Sequence, residues 1–167
     1  MMHRSLAGLL GGLFTLCFLF SCAPSKIVYS DHLTAEALAE EVREELSDTD
    51  FRITSSEWLN DYVDFPEGLT DHEICFSADG NNLNEFGIWH VPSDQVASVE
   101  TTLRAYLANS LLQNRSFYDS YIPAETPKLA DAEVRVFGNY VCYAILKKSD
   151  REIFFHTIEE SLKMSHS

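Results

Sequence analysis

The chain has 167 residues, of which 26 are acidic, 12 are basic and 46% are hydrophobic. This length and apolar content suit one globular domain and exclude a disordered or fibrous chain. The net charge of −14 argues against a nucleic-acid partner, because a phosphate-binding surface needs clustered Lys and Arg. The sequence has no dinucleotide-binding, phosphate-loop or HExxH motif, so no cofactor is predicted.

The N-terminus has the pattern of a bacterial lipoprotein signal peptide. Arg4 precedes an uncharged apolar run over residues 6–20. As a helix this run would span about 22 Å, which is short for a hydrocarbon core of roughly 30 Å. It leads into the sequence LFSC at residues 19–22, which resembles a lipobox. We therefore predict a signal peptide over residues 1–21 and a diacylglyceryl group on Cys22, the alternatives being plain secretion and an uncleaved signal anchor.

The lipid would then be the only link between the mature chain and the membrane. Signal cleavage removes one base and no acid, which changes the net charge from −14 to −15. Anionic lipid headgroups repel such a body. We expect a lipidated linker over residues 22–32 and a single α+β domain over residues 33–167, on the extracytoplasmic face of the cell membrane.

Two helix starts are predicted in the first part of the domain. Thr34 can cap a helix that runs to about Leu46, because apolar residues recur every four positions between them. The sequence TSSE at residues 54–57 has the form of a capping box, which predicts a second, shorter helix.

Two units of hairpin followed by helix are predicted next. In the first, alternation from His72 and a turn at residues 79–82 predict two strands, followed by a long helix that starts at residues 92–94. In the second, a turn at residues 138–139 joins two strands, and a capping box at residues 149–152 opens the last helix. This order indicates either an internal duplication or convergence on good helix caps.

The predicted fold is α+β. It has a four-stranded, mainly antiparallel sheet made from the two hairpin–helix units, with the helices packed on one face and N-terminal helices before them. The strand at residues 140–146 is apolar throughout, which predicts burial on both of its faces. Residues 114–128 are predicted to form a loop rich in aromatic residues and proline.

Several segments resemble a family of Gram-positive bacterial lipoproteins that is described only as a domain of unknown function. The resemblance covers about residues 33–163, together with the lipobox cysteine. It rests on Cys22 and on the segments 84–89 (NEFGIW), 118–125 (YDSYIPAE), 132–134 (AEV), 138–141 (GNYV) and 149–150 (SD). The resemblance implies a small exported α+β domain with a lipid anchor, and it implies no particular activity.

Two cysteines would remain in the mature domain besides the lipidated one. Cys75 and Cys142 each lie in a predicted strand, one in each hairpin. An exported protein can form a disulfide between such a pair. We favour two buried free thiols instead, since both strands have the composition of core strands.

The histidines offer a weak alternative of a metal site. If the first hairpin turns at residues 80–82, His72 and His90 lie opposite each other and could hold Zn²⁺ with Glu73 or Asp71. A shift of one residue in the register would place them on opposite faces of the sheet. We therefore favour two strand-end histidines that face water.

Catalytic nucleophiles are not indicated by any local motif. Ser77, Ser93 and Ser149 lie outside GxSxG and SxxK patterns, and the last two are explained as helix caps. The best binding candidates are Tyr118 and Tyr121, whose rings could stack on an apolar, sugar or peptide surface. The alternative is an aromatic loop that packs back onto the sheet.

Together these observations favour a noncatalytic binding or interaction module at the bacterial cell envelope. Its partners would be the membrane, through the lipid anchor, and an envelope protein or a small ligand. The alternative is a small envelope hydrolase or metal-dependent enzyme that uses His72 and His90. A transporter-associated lipoprotein is a third hypothesis, although the body is small for a two-lobed binding protein.

Overall fold

A computed structural model describes residues 27–47, 50–54, 59 and 63–164, except for the side chains of residues 110–114. The predicted signal peptide, Cys22 and most of the predicted capping box at residues 54–57 lie outside the described residues. None of the helices in the described part of the chain is long and apolar enough to cross a membrane.

The described residues contain a five-stranded antiparallel sheet. Its strands are β1 (Phe51–Thr54), β2 (His72–Ser77), β3 (Glu85–His90), β4 (Glu133–Phe137) and β5 (Tyr140–Ile145). They lie in the order β1-β2-β3-β5-β4, so the two predicted hairpins meet where β3 pairs with β5. The α+β class is confirmed, but the prediction of four strands is wrong because β1 pairs with β2 along its outer edge.

Helices cover both faces of this sheet. The helices of the described residues are α1 (Ala35–Glu45), α2 (Val96–Tyr121), α3 (Thr126–Ala130) and α4 (Lys148–Leu162). Helices α1 and α4 pack on the face that carries Phe86 and Cys142, named here the α1/α4 face. Helices α2 and α3 pack on the opposite face, the α2/α3 face, which carries Trp89 and Tyr143. The expectation of helices on one face is therefore wrong, and the reason is that β5 is apolar on both sides.

The N-terminus of α1 is confirmed as predicted. Thr34 Oγ1 accepts a hydrogen bond from the backbone N–H of Ala37 at 3.2 Å. Asp71 adds a second cap from elsewhere in the chain, because its Oδ1 accepts from the N–H of Ala35 at 2.9 Å. These bonds satisfy backbone donors that the first turn of a helix leaves free.

Two predicted element boundaries differ from those in the structure. Thr54 ends β1, where it pairs with Ile74 of β2, and the helix predicted to start there lies mostly outside the described residues. Helix α2 starts at Val96 and continues to Tyr121, so most of the predicted loop at residues 114–128 is helix and turn. No glycine or proline interrupts this stretch before Pro123. Helix α4 begins at Lys148, which places the predicted capping box at residues 149–152 inside its first turns.

The segment before α1 is attached to the body of the fold. Tyr29 forms a β-bridge with Lys163, and the N–H of Ser30 donates to the carbonyl of Leu162 at 2.8 Å. An edge-to-face aromatic contact adds to this, since Tyr29 lies edge-on to Phe137 with 5.6 Å between ring centroids. The chain is therefore docked by Tyr29, within the segment predicted as a linker.

Candidate functional site

A cleft of about 370 Å³ opens at the end of the sheet that carries the β2–β3 turn. It is lined by Thr54, Phe76, Ser77, Ala78, Asp79, Gly80, Asn82, Leu83, Asn84 and Glu85. Its wall includes apolar side chains, such as Phe76 and Leu83, as well as polar ones. Its volume falls near the lower end of the roughly 300–1,000 Å³ that small-molecule sites occupy.

Glu85 is the titratable group set most deeply in this wall. It begins β3 and points to the α2/α3 face, where Tyr106 of α2 donates its hydroxyl to Glu85 Oε1 at 2.9 Å. The hydroxyl of Tyr143, on β5, donates to the same oxygen. Burial raises the pKa of Glu85 to about 6, although both tyrosine hydroxyls act in the opposite direction by stabilising the carboxylate.

A partly buried lysine holds the turn beside Glu85 in place. Lys128 Nζ, on α3, donates to Glu125 Oε2 at 2.5 Å, to Asn84 Oδ1 at 2.8 Å and to Asn82 Oδ1 at 2.9 Å. Glu125 Oε2 also accepts from the backbone N–H of Leu83 at 2.9 Å. All three protons of the ammonium group therefore have acceptors, and residues 82–84 are fixed against α3.

The charges around the cleft do not cancel. Lys128 forms an ion pair with Glu125, and among the described residues neither Glu85 nor Asp79 forms an ion pair with a base. A carboxylate that is ionised in a partly buried place without a cation costs stability. Such a group, placed in a cleft, is typical of a functional site.

Comparison of the chain with family models, curated proteins and solved structures finds no match. The candidate site therefore rests on its geometry alone.

The two histidines of the predicted metal site lie on opposite faces of the sheet. In the β2–β3 register His72 pairs with Trp89, one residue away from the pairing with His90 that the metal site needs. His72 stacks on Trp89 on the α2/α3 face, while His90 stacks on Tyr140 on the α1/α4 face. Among the described residues, no three His, Cys, Asp or Glu side chains are grouped so that they could hold a metal ion.

His90 instead lies between two carboxylates. Its Nδ1 is 2.8 Å from Asp71 Oδ2 and its Nε2 is 2.6 Å from Asp31 Oδ1. Desolvation lowers the pKa of His90, but the hydrogen bonds and charges of Asp71 and Asp31 outweigh it, so the pKa is raised. Because both ring nitrogens are engaged, this histidine is not poised to act as a general base.

Of the cysteines and serines singled out in the sequence that the structure describes, Ser77 alone lines the cleft. Cys75 and Cys142 are buried free thiols on strands that β3 separates. Ser77 lines the cleft, and its Oγ accepts from the N–H of Asp79 at 3.2 Å. Ser93 and Ser149 are exposed and act as no helix cap, since the residues at the cap positions are Gln95 and Lys147.

The two tyrosines proposed for binding have different environments, and neither lines the cleft. Tyr118 packs against the core of the α2/α3 face, whereas Tyr121 is 72% exposed. Phe117 is also exposed, and its ring packs against that of Tyr121 at a tilt, with 4.7 Å between ring centroids. The exposed aromatic pair at the end of α2 is thus Phe117 and Tyr121.

Glu85 is the main site residue that the sequence analysis missed. Its sequence signal is a carboxylate at the head of a strand whose next four residues are fully buried. The tyrosines that bond it come from α2 and β5, and their convergence on one oxygen depends on the tertiary fold.

Proposed function

We propose that this protein is a lipid-anchored, noncatalytic binding module of the bacterial cell envelope whose ligand enters the Glu85 cleft. The observation that carries the binding assignment is the carboxylate of Glu85, which faces a cleft of ligand size and has no cationic partner among the described residues. The geometry favours the cleft over Tyr118 and Tyr121 as the binding site.

The anchor rests on the lipobox pattern and agrees with the position of the docked N-terminus. Only six residues separate Cys22 from Tyr29, where the chain joins the body. Even fully extended, this stretch spans at most roughly 25 Å. A diacylglyceryl group on Cys22 would therefore hold the domain close to the membrane surface.

The enzyme alternative loses its main support in this structure. It needed His72 and His90 on one face, and the register places them on two. Both nitrogens of His90 also contact carboxylates. We therefore do not extend the proposal to catalysis.

Fractionation of a Gram-positive host that expresses the full-length chain tests the anchor. We expect the chain in the membrane fraction and the Cys22→Ala variant outside it. Cys17→Ala, which changes the cysteine within the predicted signal peptide, is the matched control and should stay with the membrane. A Cys22→Ala variant that remained in the membrane fraction would contradict lipidation.

Ligand screening by NMR tests the binding site. The protein for this experiment is the predicted mature chain with Cys22→Ala, which carries no lipid. A library of small polar molecules should shift the amide signals of the cleft residues, such as Leu83 and Asn84. Shifts confined to Phe117 and Tyr121 would instead place the binding surface at the end of α2 and overturn the assignment to the cleft.

A further inference from the structure

We infer that the ligand of the Glu85 cleft carries a protonated amine, and that its ammonium group donates to the carboxylate of Glu85. This inference rests on the proposed function, because it names the ligand chemistry of the same cleft.

The hydrogen bonds of Glu85 show which kind of group the site can accept. Both tyrosine hydroxyls donate to Oε1, and Oε2 receives no hydrogen bond from the described residues. An ionised carboxylate can only accept hydrogen bonds. A ligand group that bonds here must therefore be a donor, and charge-assisted donors form the stronger bonds.

The charged groups around Glu85 make a cationic donor the better match. Within the part of the chain that the structure describes, the groups that hydrogen-bond it from the packed elements are the hydroxyls of Tyr106 and Tyr143, from α2 and β5. At the β2–β3 turn, Asp79 adds a second carboxylate to the cleft wall. The nearby ammonium of Lys128 is already engaged by Glu125 and the two asparagines. A cation bound in the cleft would supply the charge that these elements leave uncompensated.

An organic cation fits the site better than a metal ion does. Metal sites for hard cations use several carboxylate and amide oxygens. Here the amide oxygens of Asn82 and Asn84 already accept from the Lys128 ammonium group, and no three acidic, histidine or cysteine side chains meet in the described part of the chain. Part of the cleft wall is apolar, from Phe76, Ala78 and Leu83. A small amine with an apolar body would fill this surface while its ammonium group reaches Glu85.

Paired probes that differ in charge test this inference. The probes are 2-phenylethylamine and its neutral isostere 2-phenylethanol, each titrated by NMR into the predicted mature chain with Cys22→Ala. The variant is Glu85→Gln, which keeps an acceptor for the two tyrosine hydroxyls. The matched control is Glu73→Gln, because Glu73 is a partly buried glutamate whose pKa is also raised by burial, but it lies on β2 and does not line the cleft.

We expect the amine to shift the cleft signals and the alcohol to bind more weakly. Glu85→Gln should weaken amine binding roughly tenfold or more, as loss of a charged hydrogen bond does, and Glu73→Gln should not. Equal binding of amine and alcohol, both in the cleft, would overturn the amine inference and leave the binding function standing. If neither probe and no member of the polar library shifts the cleft signals, both the inference and the proposed function fail.

Discussion

Nε2 of His90 lies 2.6 Å from Oδ1 of Asp31, and this contact ties the N-terminal segment of the chain to the end of β3. Nδ1 of the same ring lies 2.8 Å from Asp71 Oδ2. A neutral imidazole has one N–H and can donate to only one carboxylate, whereas the imidazolium donates to both. The geometry therefore stabilises the protonated ring, in agreement with its raised pKa.

This arrangement predicts a pH-dependent part of the folding stability. The folded-state pKa of His90 is higher than its ordinary value of 6.5. The stabilisation is thus complete below about pH 6.5 and is lost as the pH rises through the folded-state pKa. We expect His90→Gln to lower the free energy of unfolding at pH 6 by roughly 1 kcal/mol, since the ring is partly exposed, and to change it less at pH 9.

Urea denaturation at several pH values measures this effect. His156→Gln is the matched control, because His156 is exposed on α4. It should reproduce the pH profile of the unchanged protein. A His90→Gln variant with that same profile would show that the two carboxylates do not stabilise the imidazolium.

Gly87 gives space to the rings that border the Glu85 site. A Cβ atom at this position would lie 2.5 Å from both Trp89 Cζ3 and Tyr143 Cε1. Gly87→Ala should therefore destabilise the fold by about 1–3 kcal/mol through overpacking, as measured by urea denaturation. Gly80→Ala is the control, because nothing lies within 4 Å of a Cβ atom there. Equal stability of the two variants would contradict the close packing of Tyr143.

Cys75 and Cys142 should be inert in the folded protein. Both are fully buried, and burial raises the pKa of Cys75 to about 12 and that of Cys142 still further. Since the thiolate is the reactive form, a thiol reagent should modify neither residue in the native domain at pH 8. In denaturant both should react, with and without prior reduction. Thiols that appear only after reduction would reveal a disulfide.

Glu85 should reduce stability at neutral pH. Its folded-state pKa of about 6 is above its ordinary value of 4.5, so the protonated form is favoured by folding. The contribution of protonated Glu85 to the free energy of unfolding is therefore complete below about pH 4.5 and is lost as the pH rises through 6. We expect Glu85→Gln to be more stable than the unchanged protein by about 1–2 kcal/mol at pH 7.5, and to differ little at pH 4.5.

The exposed Glu67 provides the control for this comparison, because Glu67→Gln removes the same charge from the surface. A Glu85→Gln variant that is less stable than Glu67→Gln at pH 7.5 would indicate that the ionised carboxylate is a structural group. The proposal that the cleft binds a ligand would then lose its main support.

Local patterns in the sequence were enough to predict much of the fold. Thr34 and the apolar spacing after it located α1, and period-two alternation located β2 and β3. The boundary of α2 was missed because its aromatic end looks like a loop, although no helix breaker occurs before Pro123. Strand β1 was missed because it has four residues and is held by pairing with β2. Such long-range pairing leaves little trace in a single sequence.

The candidate site was harder to predict for the same reason. The metal hypothesis needed His72 to pair with His90. In the structure His72 pairs with Trp89, and this shift of one residue places the two histidines on opposite faces of the sheet. Glu85 acquires its properties from Tyr106 and Tyr143, which are distant in the sequence. Local composition does not determine how β2 and β3 align across the seven residues that join them. It also does not show that Glu85, Tyr106 and Tyr143 meet in the folded protein.

The titration of the Glu85 carboxyl carbon, followed by NMR with and without 2-phenylethylamine, tests the central claim most directly. Our account predicts a pKa of about 6 in the free protein. It predicts a lower pKa when the amine is bound, because a cation at the carboxylate favours its ionised form. A pKa near 4.5 that the amine does not change would contradict the claim that Glu85 is the binding group of the cleft.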